Sequence, residues 1–584
     1  MRILGIYDGH NCGSAIIEDG KIIAAIEEER LSRIKLHDGR TKHGPPEMSL
    51  SWVLEYTKSE RSNIDRIAVA ISPPYELLKY VLKDVYLKQK NMRWSLAVFG
   101  RSPGWDMYYP FYPYFYNFAR IRNIKKLLRR FDLDNIPIDF VDHHTAHAAS
   151  AYYTSGEADT MIITMDGQGD GESGAVFSAS GGKIKKIRSL SSYNSVGMFY
   201  NLITWVLGFK PNRHEGKVTG LAAHGNAEVT KPYLETLFDV NCTDFSYDLA
   251  KKIFMHPYPH RTPYNILLQK TANKLKDFSK KDLAAGVQTL SEEYVCKFTE
   301  SVLEGKVVDK LCLAGGVFAN VRINQEISEL DNIRSVFIFP AMGDNGLFTG
   351  AALYSYFGNN EDEYIPEKIG HVYFGPEYSN KEIQREIEKA NLKHKYFENI
   401  EVEIAKLLAD GKVVARFNGR MEYGPRALGN RSILYQTTDP TVNDWLNKKL
   451  NRTEFMPFAP AALMEDANQL FMEIDSNIFP ATYMTQTFDC TEEMQKNYPA
   501  VVHVDNTARP QLVDEKTNSS FYNTIKEYKK LTGLSAIINT SFNMHEEPIV
   551  CTPFDGIRAF QLGHLDYLAI GDFLIRSNNT ENKP

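Results

Sequence analysis

A repeated group of three short strands is the feature that most constrains the fold of this 584-residue chain. In the first copy, an apolar strand is closed by Asp8-Gly9, and two further strands flank a turn at Asp19-Gly20. The predicted strands are Arg2–Tyr7, Ser14–Glu18 and Lys21–Glu27. Because such tight turns join antiparallel neighbours, the segment predicts a β-meander.

The same pattern returns later in the chain, with Asp166-Gly167 closing the first strand and Gly181-Gly182 forming the next turn. The predicted strands are Thr160–Met165, Gly174–Ser178 and Lys183–Leu190. A duplicated meander favours an actin-like, ribonuclease-H-type α/β architecture, in which the two halves hold a nucleotide between them. Two unrelated hairpins with ordinary Asp-Gly turns are the alternative interpretation.

The polar, acidic segment that follows the first half of the chain marks a domain boundary. Beyond it, the sequence has its own strands and helices and is long enough for a second core. The chain therefore predicts an N-terminal domain over 1–357, a linker over 358–369 and a C-terminal α/β domain over 370–584.

Composition excludes several classes of protein. The chain has 67 Lys+Arg against 73 Asp+Glu, a net charge of −6 and 43% hydrophobic residues, which argues against disorder and against a strong nucleic-acid binder. No apolar run approaches the roughly 20 residues of a membrane span. The six cysteines are scattered without a C-x-x-C pair. We expect a soluble cytoplasmic protein without a nucleic-acid or membrane partner.

An aromatic-rich insertion is predicted over 73–130, and it ends in a basic run with helical patterning. It could pack on the core or on a second copy in a homodimer, form a wall for an acceptor substrate, or make a membrane or nucleic-acid patch. We expect the basic residues to form a solvated helix face: Arg120, Arg122, Lys125, Lys126, Arg129 and Arg130.

His143 and His147 are the first candidates for chemistry, because a spacing of four residues places both imidazoles on one face of a helix. Asp166 and Asp344 each stand beside glycine after an apolar strand and could complete a metal site. Iron(II), manganese and zinc all suit this ligand set. A structural histidine cluster and a turn-forming Asp166 are the alternatives.

Glycine-rich segments give a weaker indication of a nucleotide site. Gly315-Gly316 follows a strand and precedes a helix that begins near Asn320, while Lys217 lies in a second glycine-punctuated segment. Both could also be ordinary loops that lead into helices. His10 stands beside Asp8 at a strand exit, where it could act as a general base or simply make a structural hydrogen bond.

The second domain contains arginines set among glycines, a pattern typical of phosphate or carboxylate binding. Arg420, Arg426 and Arg431 recur at intervals of five or six residues, and Ser432 follows the last of them. Arg452 and Arg509 lie beyond this segment, and Ser541 follows a later predicted strand.

Taken together, these motifs resemble those of the NodU/CmcH-type O-carbamoyltransferase family. The resemblance runs nearly end to end and rests on segments 7–11, 26–30, 143–152, 315–320, 342–346, 419–432, 505–511 and 539–543. It departs from the family at Met456, where many members have arginine.

The resemblance implies a TsaD-like N-terminal domain of actin-like fold and a YrdC-like C-terminal domain. It implies that carbamoyl phosphate and ATP, the latter with Mg²⁺, form carbamoyl-adenylate in the C-terminal domain. The intermediate would pass to the N-terminal domain, where iron(II) holds it. A hydroxyl of a small-molecule acceptor, such as a natural product or sugar, would then take the carbamoyl group.

Carried onto this chain, the resemblance assigns each motif a role. The metal ligands would be His143, His147, Asp166 and Asp344. His10 would be the base, with Asp8 orienting the acceptor. The residues facing the adenylate would be Gly315, Gly316 and Asn320. Lys217 is a candidate for contact with phosphate or ribose from its glycine-punctuated segment alone. Carbamoyl phosphate and ATP would be bound by Arg420, Arg426, Arg431, Ser432, Arg452, Arg509 and Ser541.

Three other functions compete with this interpretation. A tRNA threonylcarbamoylation enzyme would share the folds, but the net charge of −6 provides no basic footprint for tRNA. An actin-fold kinase or ATPase would leave the histidine pair and the arginine-rich segment unexplained. A non-catalytic nucleotide-binding module would need neither set of residues.

Overall fold

The computed structural model describes residues 1–73, 112–191, 195–237, 272–360, 364–449 and 458–577. The chain divides into two compact units. The first comprises Met1–Ala24, His37–Ala319 and Met342–Lys368, and the second comprises Ala25–Leu36, Asn320–Ala341 and Ile369–Pro584. Most of the predicted aromatic insertion lies outside the described residues, as do Arg452 and Met456. The predicted linker at 358–369 stays a prediction.

The first unit begins with the predicted meander. Its sheet contains, in order, Lys21–Glu27, Gly13–Glu18, Arg2–Tyr7, Arg66–Val69 and Ile138–Phe140. The second and third of these strands pair antiparallel, whereas Arg66–Val69 pairs parallel with both of its neighbours. The central strands are buried along almost their whole length, because nearly every residue in them is apolar or small.

The second sheet of this unit repeats the arrangement. Its strands from the first unit are, in order, Leu311–Ala314, Asp159–Gly169, Glu172–Ser180 and Lys183–Ser191. The prediction that Asp166-Gly167 closes the first strand is wrong, because the strand continues to Gly169 through an irregularity after Met165. The turn falls instead at Asp170-Gly171, where both residues have positive φ. The irregularity turns Asp166 out of the regular ladder.

Helices cover these sheets. In the first unit they are Glu47–Tyr56, Tyr112–Arg130, His143–Ser155, Val196–Val206, Glu215–Ala222, Lys231–Leu237, Lys280–Leu303 and Leu347–Asn359. The helices His143–Ser155 and Leu347–Asn359 cross closely at Gly350, where an added Cβ would lie 1.9 Å from the Ala146 carbonyl oxygen. This close crossing fixes the histidine helix against the element that follows Asp344.

The second unit is built on an eight-stranded mixed sheet. Its order is His394–Tyr396, Phe573–Arg576, Tyr567–Ile570, Val414–Phe417, Arg431–Tyr435, Ala536–Ser541, Ala459–Leu463 and Gln511–Val513. Alternate residues enter different cores: Val414 packs on one face and Ala415 on the other. A small ribbon pairs Phe488–Asp489 with Thr507–Ala508.

The second unit also has helices on both sides of its sheet. They are Glu28–Ser32, Val321–Ser328, Asn380–Lys389, Ile400–Ala409, Val442–Lys449, Ala467–Leu470, Ile478–Thr482, Glu492–Asn497, Ser519–Thr532 and Pro553–Leu562, and a short strand lies at Val336–Ile338. Within the described ranges, no helix has both the length and the apolar character needed to cross a membrane.

Candidate active site

Four side chains of the first unit converge on one point. They are His143, His147, Asp166 and Asp344, and one donor atom from each lies within 4.8 Å of all the others. The Nε2 atoms of His143 and His147 lie 3.3 and 3.2 Å from Asp166 Oδ2, and 3.7 and 3.8 Å from Asp344 Oδ1. Ligands held about 2.1 Å from one ion stand about 3.0–3.4 Å apart. The distances to Asp166 lie within this range and those to Asp344 are slightly longer, and two imidazoles with two carboxylates are a donor set that suits a divalent metal.

Each ligand comes from the end or an irregular part of a secondary-structure element. The two histidines lie in the first turns of the helix His143–Ser155, whose start is capped by the Asp142 side chain. Asp166 lies at the strand irregularity, and Asp344 begins a short helical turn before Leu347–Asn359. The helix spacing predicted from the sequence is therefore present.

Groups around the cluster fix its geometry. The Tyr7 hydroxyl donates a hydrogen bond to Asp344 Oδ2 at 3.0 Å. The backbone N–H of Gly167 donates to Asp166 Oδ1 at 2.6 Å. A side chain at position 169 would collide with the His143 imidazole, because a Cβ on Gly169 would lie 2.2 Å from that ring. Such outer contacts orient metal ligands in proteins.

The electrostatics of the cluster reflect two carboxylates placed beside two imidazoles. Burial acts to raise the pKa of Asp166, but hydrogen bonds with both histidines outweigh it and hold this pKa well below its usual range. Burial, reinforced by the nearby Asp166 carboxylate, raises the pKa of Asp344. Burial would lower the pKa of His143, yet the two carboxylates raise it to about 9. Burial lowers the pKa of His147.

A buried hydrogen-bond chain connects Asp8 to the backbone of the first metal-site histidine. Asp8 Oδ1 accepts from Arg120 Nε at 3.0 Å and from Nη2 at 2.6 Å. Arg120 Nη1 donates to Asn117 Oδ1, and Asn117 Nδ2 donates to Asp170 Oδ1 at 2.8 Å. Asp170 Oδ2 in turn accepts from the His143 N–H.

These hydrogen bonds bear on two predictions, the exposure of Arg120 and the role of Asp8. Arg120 was expected on a solvated face, but only 7% of it is exposed, so that expectation is wrong for this residue. The other members of the basic run are exposed as predicted: Arg122, Lys125, Lys126, Arg129 and Arg130. Because Asp8 Oδ1 already accepts two bonds from Arg120, its role in orienting an acceptor stays a prediction.

His10 lies beyond the first strand and is partly exposed. Burial and the Asp166 carboxylate raise the pKa of Asp344, and His10 is among the groups that act in the opposite direction on it. A base in this position would be accessible to a substrate. Its catalytic role stays a prediction.

The predicted nucleotide residues occupy different elements. Gly315 has a φ of 108° and donates its N–H to the Met342 carbonyl oxygen, while Gly316 starts the helical turn Gly316–Ala319. A Cβ on Gly316 would lie 2.9 Å from Asp166 Oδ1, which places this glycine beside the candidate metal ligands. Lys217 is buried in the helix Glu215–Ala222.

Asn320 belongs to the second unit, where its side chain accepts hydrogen bonds from the N–H groups of Arg322 and Ile323. It therefore caps the helix Val321–Ser328. A role for Asn320 toward the adenylate stays a prediction.

The arginine-rich segment of the second unit forms a loop between the strands Val414–Phe417 and Arg431–Tyr435. We call residues 419–431 the arginine loop. A single oxygen of Glu422, Oε1, accepts from the N–H groups of Leu428, Asn430 and Arg431 at 2.8, 2.7 and 3.1 Å. This buried carboxylate organises the C-terminal half of the loop.

Two of the predicted anion ligands are committed to the fold. The guanidinium of Arg431 is fully buried, stacks 3.7 Å from the Phe417 ring centroid and donates to carbonyl oxygens that include those of Asn418 and Gly419. Ser432 is fully buried and accepts from the Gly429 N–H. These contacts favour structural roles over the predicted contacts with substrate.

The other predicted ligands have more exposed positions. Arg420 donates to the Phe374 and Gly375 carbonyl oxygens, and Ser541 donates to Asn543 Oδ1. Arg509 is partly exposed between the strands Thr507–Ala508 and Gln511–Val513. Each retains its predicted role only as a prediction.

Arg426 differs from the other arginines of this loop. Its Nε is buried without a hydrogen-bond partner among the described residues, as is that of Arg431, so the two arginines differ in the charges around them. Burial alone lowers its pKa to about 10, with no carboxylate acting against it. An arginine held without a counter-charge is suited to receive an anion.

Comparison with known proteins identifies the family. The family model described as Carbamoyltransferase N-terminus matches residues 2–353, and the one described as Carbamoyltransferase C-terminus matches residues 405–577. The chain belongs to the carbamoyltransferase family and is a carbamoyltransferase, an enzyme that acts on a carbamoyl donor and an acceptor.

Two relatives cover nearly all of the chain. Nodulation protein NolNO of Sinorhizobium fredii is 31% identical, with 97% of this chain and 79% of that protein covered. An uncharacterized protein of Methanocaldococcus jannaschii is 32% identical, with 99% of each chain covered. Among solved structures, component A of (R)-2-hydroxyglutaryl-CoA dehydratase from Acidaminococcus fermentans is 15% identical, with a TM-score of 0.34. The match covers 62% of this chain and 99% of that protein.

Proposed function

We propose that this carbamoyltransferase uses ATP and carbamoyl phosphate to carbamoylate a hydroxyl of a small-molecule acceptor, such as a natural product or sugar. The main support for this proposal is that the N-terminal and C-terminal carbamoyltransferase family models match the two parts of the chain. In the first step, carbamoyl phosphate, ATP and one water give carbamoyl-adenylate, pyrophosphate and phosphate. In the second step, carbamoyl-adenylate and the acceptor give the carbamate ester and AMP.

The second step is proposed for the first unit. The acceptor oxygen forms a bond to the carbamoyl carbon, the bond between that carbon and the adenylate oxygen breaks, and AMP leaves. His10 takes the hydroxyl proton as general base. Its partial exposure at the exit of the first strand supports this role.

The convergent donor set supports a metal cofactor in the same unit. We propose iron(II) as the ion, held by His143, His147, Asp166 and Asp344. When bound, it would supply positive charge to stabilise the oxyanion that develops on the carbamoyl group. The chain's own contribution is to fix the ligands, chiefly through Tyr7 and the Asp170 contact with the His143 backbone.

The first step is proposed for the second unit. Its substrates are anions, and Mg²⁺ would accompany ATP. Arg426 is the strongest candidate ligand, because it is held in the protein without a counter-charge. Arg420, Arg509 and Ser541 are proposed to assist it. Arg452 lies outside the described residues.

We further propose that the first unit is a duplicated, TsaD-like actin fold and that the second is YrdC-like. The duplication is supported by the common arrangement of the two sheets, each with three antiparallel strands beside a parallel one. The second unit's separate mixed sheet supports an independent catalytic domain.

The deciding experiment measures pyrophosphate release from ATP by the purified full-length chain, without acceptor and with iron(II) either present or chelated. Release that requires carbamoyl phosphate, and that inorganic phosphate does not replace, supports carbamoyl-adenylate formation. Release independent of carbamoyl phosphate, or ATP hydrolysis to ADP alone, would contradict the proposal and favour an ATPase.

Variants then separate the two steps. Arg426→Ala is expected to abolish pyrophosphate release, whereas His10→Ala is expected to retain it and lose transfer to a carbamoyl acceptor. Loss of both activities in His10→Ala would contradict the assignment of two separate sites.

A further inference from the structure

The N-terminal segment Ala25–Leu36 belongs to the second compact unit and contacts the arginine loop there. The Gly424 N–H donates to Glu27 Oε1 at 3.0 Å, and Arg30 Nη2 donates to the Gly424 carbonyl oxygen at 2.7 Å. We call these two contacts the Gly424 clamp. They engage both hydrogen-bonding groups of one residue.

The clamp is itself fixed by buried charges. Glu27 is 3% exposed and Arg30 is 2% exposed. Arg30 Nε lies 3.5 Å from Glu27 Oε2, and its Nη1 lies 3.1 Å from Glu29 Oε1. Glu29 Oε2 accepts from the Leu36 N–H at 2.6 Å. Because buried ions cost free energy unless they are paired, this arrangement holds both clamp residues in one geometry.

Gly424 also has a backbone conformation that needs external support. Its φ of 113° is one that glycine adopts readily and other residues avoid. A glycine without contacts would exchange among several conformations, so the clamp selects one of them. The direction of the following Pro425-Arg426 segment depends on this choice.

Arg426 lies between two backbone anchors. Gly424 is held two residues before it by the clamp, and Leu428 is held two residues after it by Glu422. The buried carboxylates of Glu27 and Glu422 thus accept hydrogen bonds from backbone N–H groups on both sides of Arg426. Its guanidinium receives none, since burial alone shifts the pKa of that group.

We infer that Glu27 and Arg30 are positioning residues for the first half-reaction: they fix the backbone that presents Arg426 to the carbamoyl phosphate or ATP anion. This inference rests on the proposed function. It assigns part of the second unit's chemistry to a segment near the N-terminus, outside the residues matched by the C-terminal family model. Misplacing a charged ligand by about 1 Å can cost up to about 100-fold in rate.

Arg33 provides a matched control in the same segment. It donates to the carbonyl oxygens of Ile549 and Pro548 at 2.7 and 2.8 Å, and its Nε lies 3.5 Å from Asp555 Oδ1. These residues lie outside the arginine loop. Arg33 Nη1 also donates to the Arg30 backbone carbonyl oxygen at 3.3 Å. Arg33→Gln therefore removes a guanidinium from the segment but keeps both side chains that contact Gly424.

The test uses the full-length chain and steady-state pyrophosphate release, with KM measured separately for carbamoyl phosphate and ATP. Glu27→Ala and Arg30→Met are expected to lower kcat/KM by about 10- to 100-fold. Glu27→Gln, which keeps an oxygen for the Gly424 N–H, should retain more activity than Glu27→Ala. Arg33→Gln should stay within about twofold of wild type in kcat/KM, since its bonds to Pro548 and Ile549 lie outside the arginine loop.

A double-mutant cycle separates positioning from general destabilisation. If Glu27 acts through Arg426, adding Glu27→Gln to Arg426→Lys should cause little further loss, because the group being positioned has already changed. Multiplication of the two separate losses would overturn the inference. Should Glu27→Ala or Arg30→Met fail to fold, Glu27→Gln alone and in the cycle still decides.

Hydrogen exchange gives a readout that does not depend on the reaction. Amides of residues 421–431 should exchange faster in Glu27→Gln than in Arg33→Gln, because the clamp restrains that loop. Equal exchange in the two variants would overturn the inference. A wild-type chain that releases no carbamoyl-phosphate-dependent pyrophosphate would instead refute the proposed function, so the two failures are distinguishable.

Discussion

Replacing Arg120 with methionine tests whether the pair between this residue and Asp8 stabilises the first unit. Both residues are buried, with 7% of Arg120 and 4% of Asp8 exposed. Methionine has a similar unbranched side chain but cannot neutralise the carboxylate. The substitution therefore leaves a buried aspartate without its cation.

The expected magnitude follows from the two bonds that are lost, at 3.0 and 2.6 Å. Hydrogen bonds to charged groups contribute about 1.5–3 kcal/mol each, and breaking one side of a buried ion pair costs about 3–5 kcal/mol. Both estimates agree on a loss of about 3–5 kcal/mol. This loss corresponds to about a 100- to 4,000-fold change in the unfolding equilibrium.

Urea unfolding followed by circular dichroism would measure the loss, and hydrogen exchange of peptides from the strand Arg2–Tyr7 would locate it. Lys125→Met is the matched control, since Lys125 is an exposed basic residue on the same helix. The double variant Asp8→Asn/Arg120→Met should recover at least about 1 kcal/mol, because it removes the unpaired charge. A loss for Arg120→Met no larger than that for Lys125→Met would refute the reasoning.

Three further predictions concern the same unit. Tyr7→Phe removes a hydrogen bond to a carboxylate of the metal cluster, so calorimetric titration with Mn²⁺ should show affinity lower by about 10- to 100-fold; unchanged affinity would contradict an orienting role. Gly315→Ala should destabilise the protein more than Gly305→Ala, because both have positive φ but only at Gly315 would the new Cβ lie 2.1 Å from a backbone oxygen, that of Met165. Equal melting temperatures for these two variants would refute that account. His147→Ala should lose bound metal, as measured by elemental analysis, yet keep carbamoyl-phosphate-dependent pyrophosphate release; loss of that release would contradict separate sites.

The meanders were predictable because their signals are local. Alternating turns and short apolar runs gave the bounds of Arg2–Tyr7 and Lys21–Glu27 without change. The same reasoning failed at Asp166-Gly167, where a residue pair typical of a turn lies inside an irregular strand. Contacts with His143 and His147 hold Asp166 there, and these long-range contacts outweigh the local preference.

Arg120 was missed although the sequence contains a signal for it. Asn117, Arg120, Ile124 and Leu127 recur at intervals of three or four residues, and all four are buried. Their spacing places them on one face of the helix Tyr112–Arg130. The apolar members of this face predict burial of the two polar ones, but they do not reveal which carboxylate pairs with Arg120. That partner lies 112 residues earlier in the chain.

Arg431 was predicted from the sequence to bind a substrate anion, but its contacts are with carbonyl oxygens of the fold. Arginines that lie among glycines are typical of anion sites. The pattern alone cannot distinguish an arginine that binds substrate from one that stabilises the loop. The structure separates them by their surroundings: Arg431 donates to carbonyl oxygens and has Glu422 opposing the effect of burial on its pKa, whereas burial alone acts on the pKa of Arg426. One arginine thus maintains the loop in which the other is presented.

The helix Tyr112–Arg130 contacts both Asp8 and Asp170, which lie beside the proposed base and the candidate metal site. Arg120 holds Asp8 after the first strand, and Asn117 holds Asp170, which accepts from the backbone N–H of His143. Any displacement of this helix must therefore move the strand exit that precedes His10 and the start of the helix His143–Ser155 together. This helix is the C-terminal part of the predicted insertion over 73–130, so its buried face, which includes Asn117 and Arg120, joins that part of the insertion to the first unit.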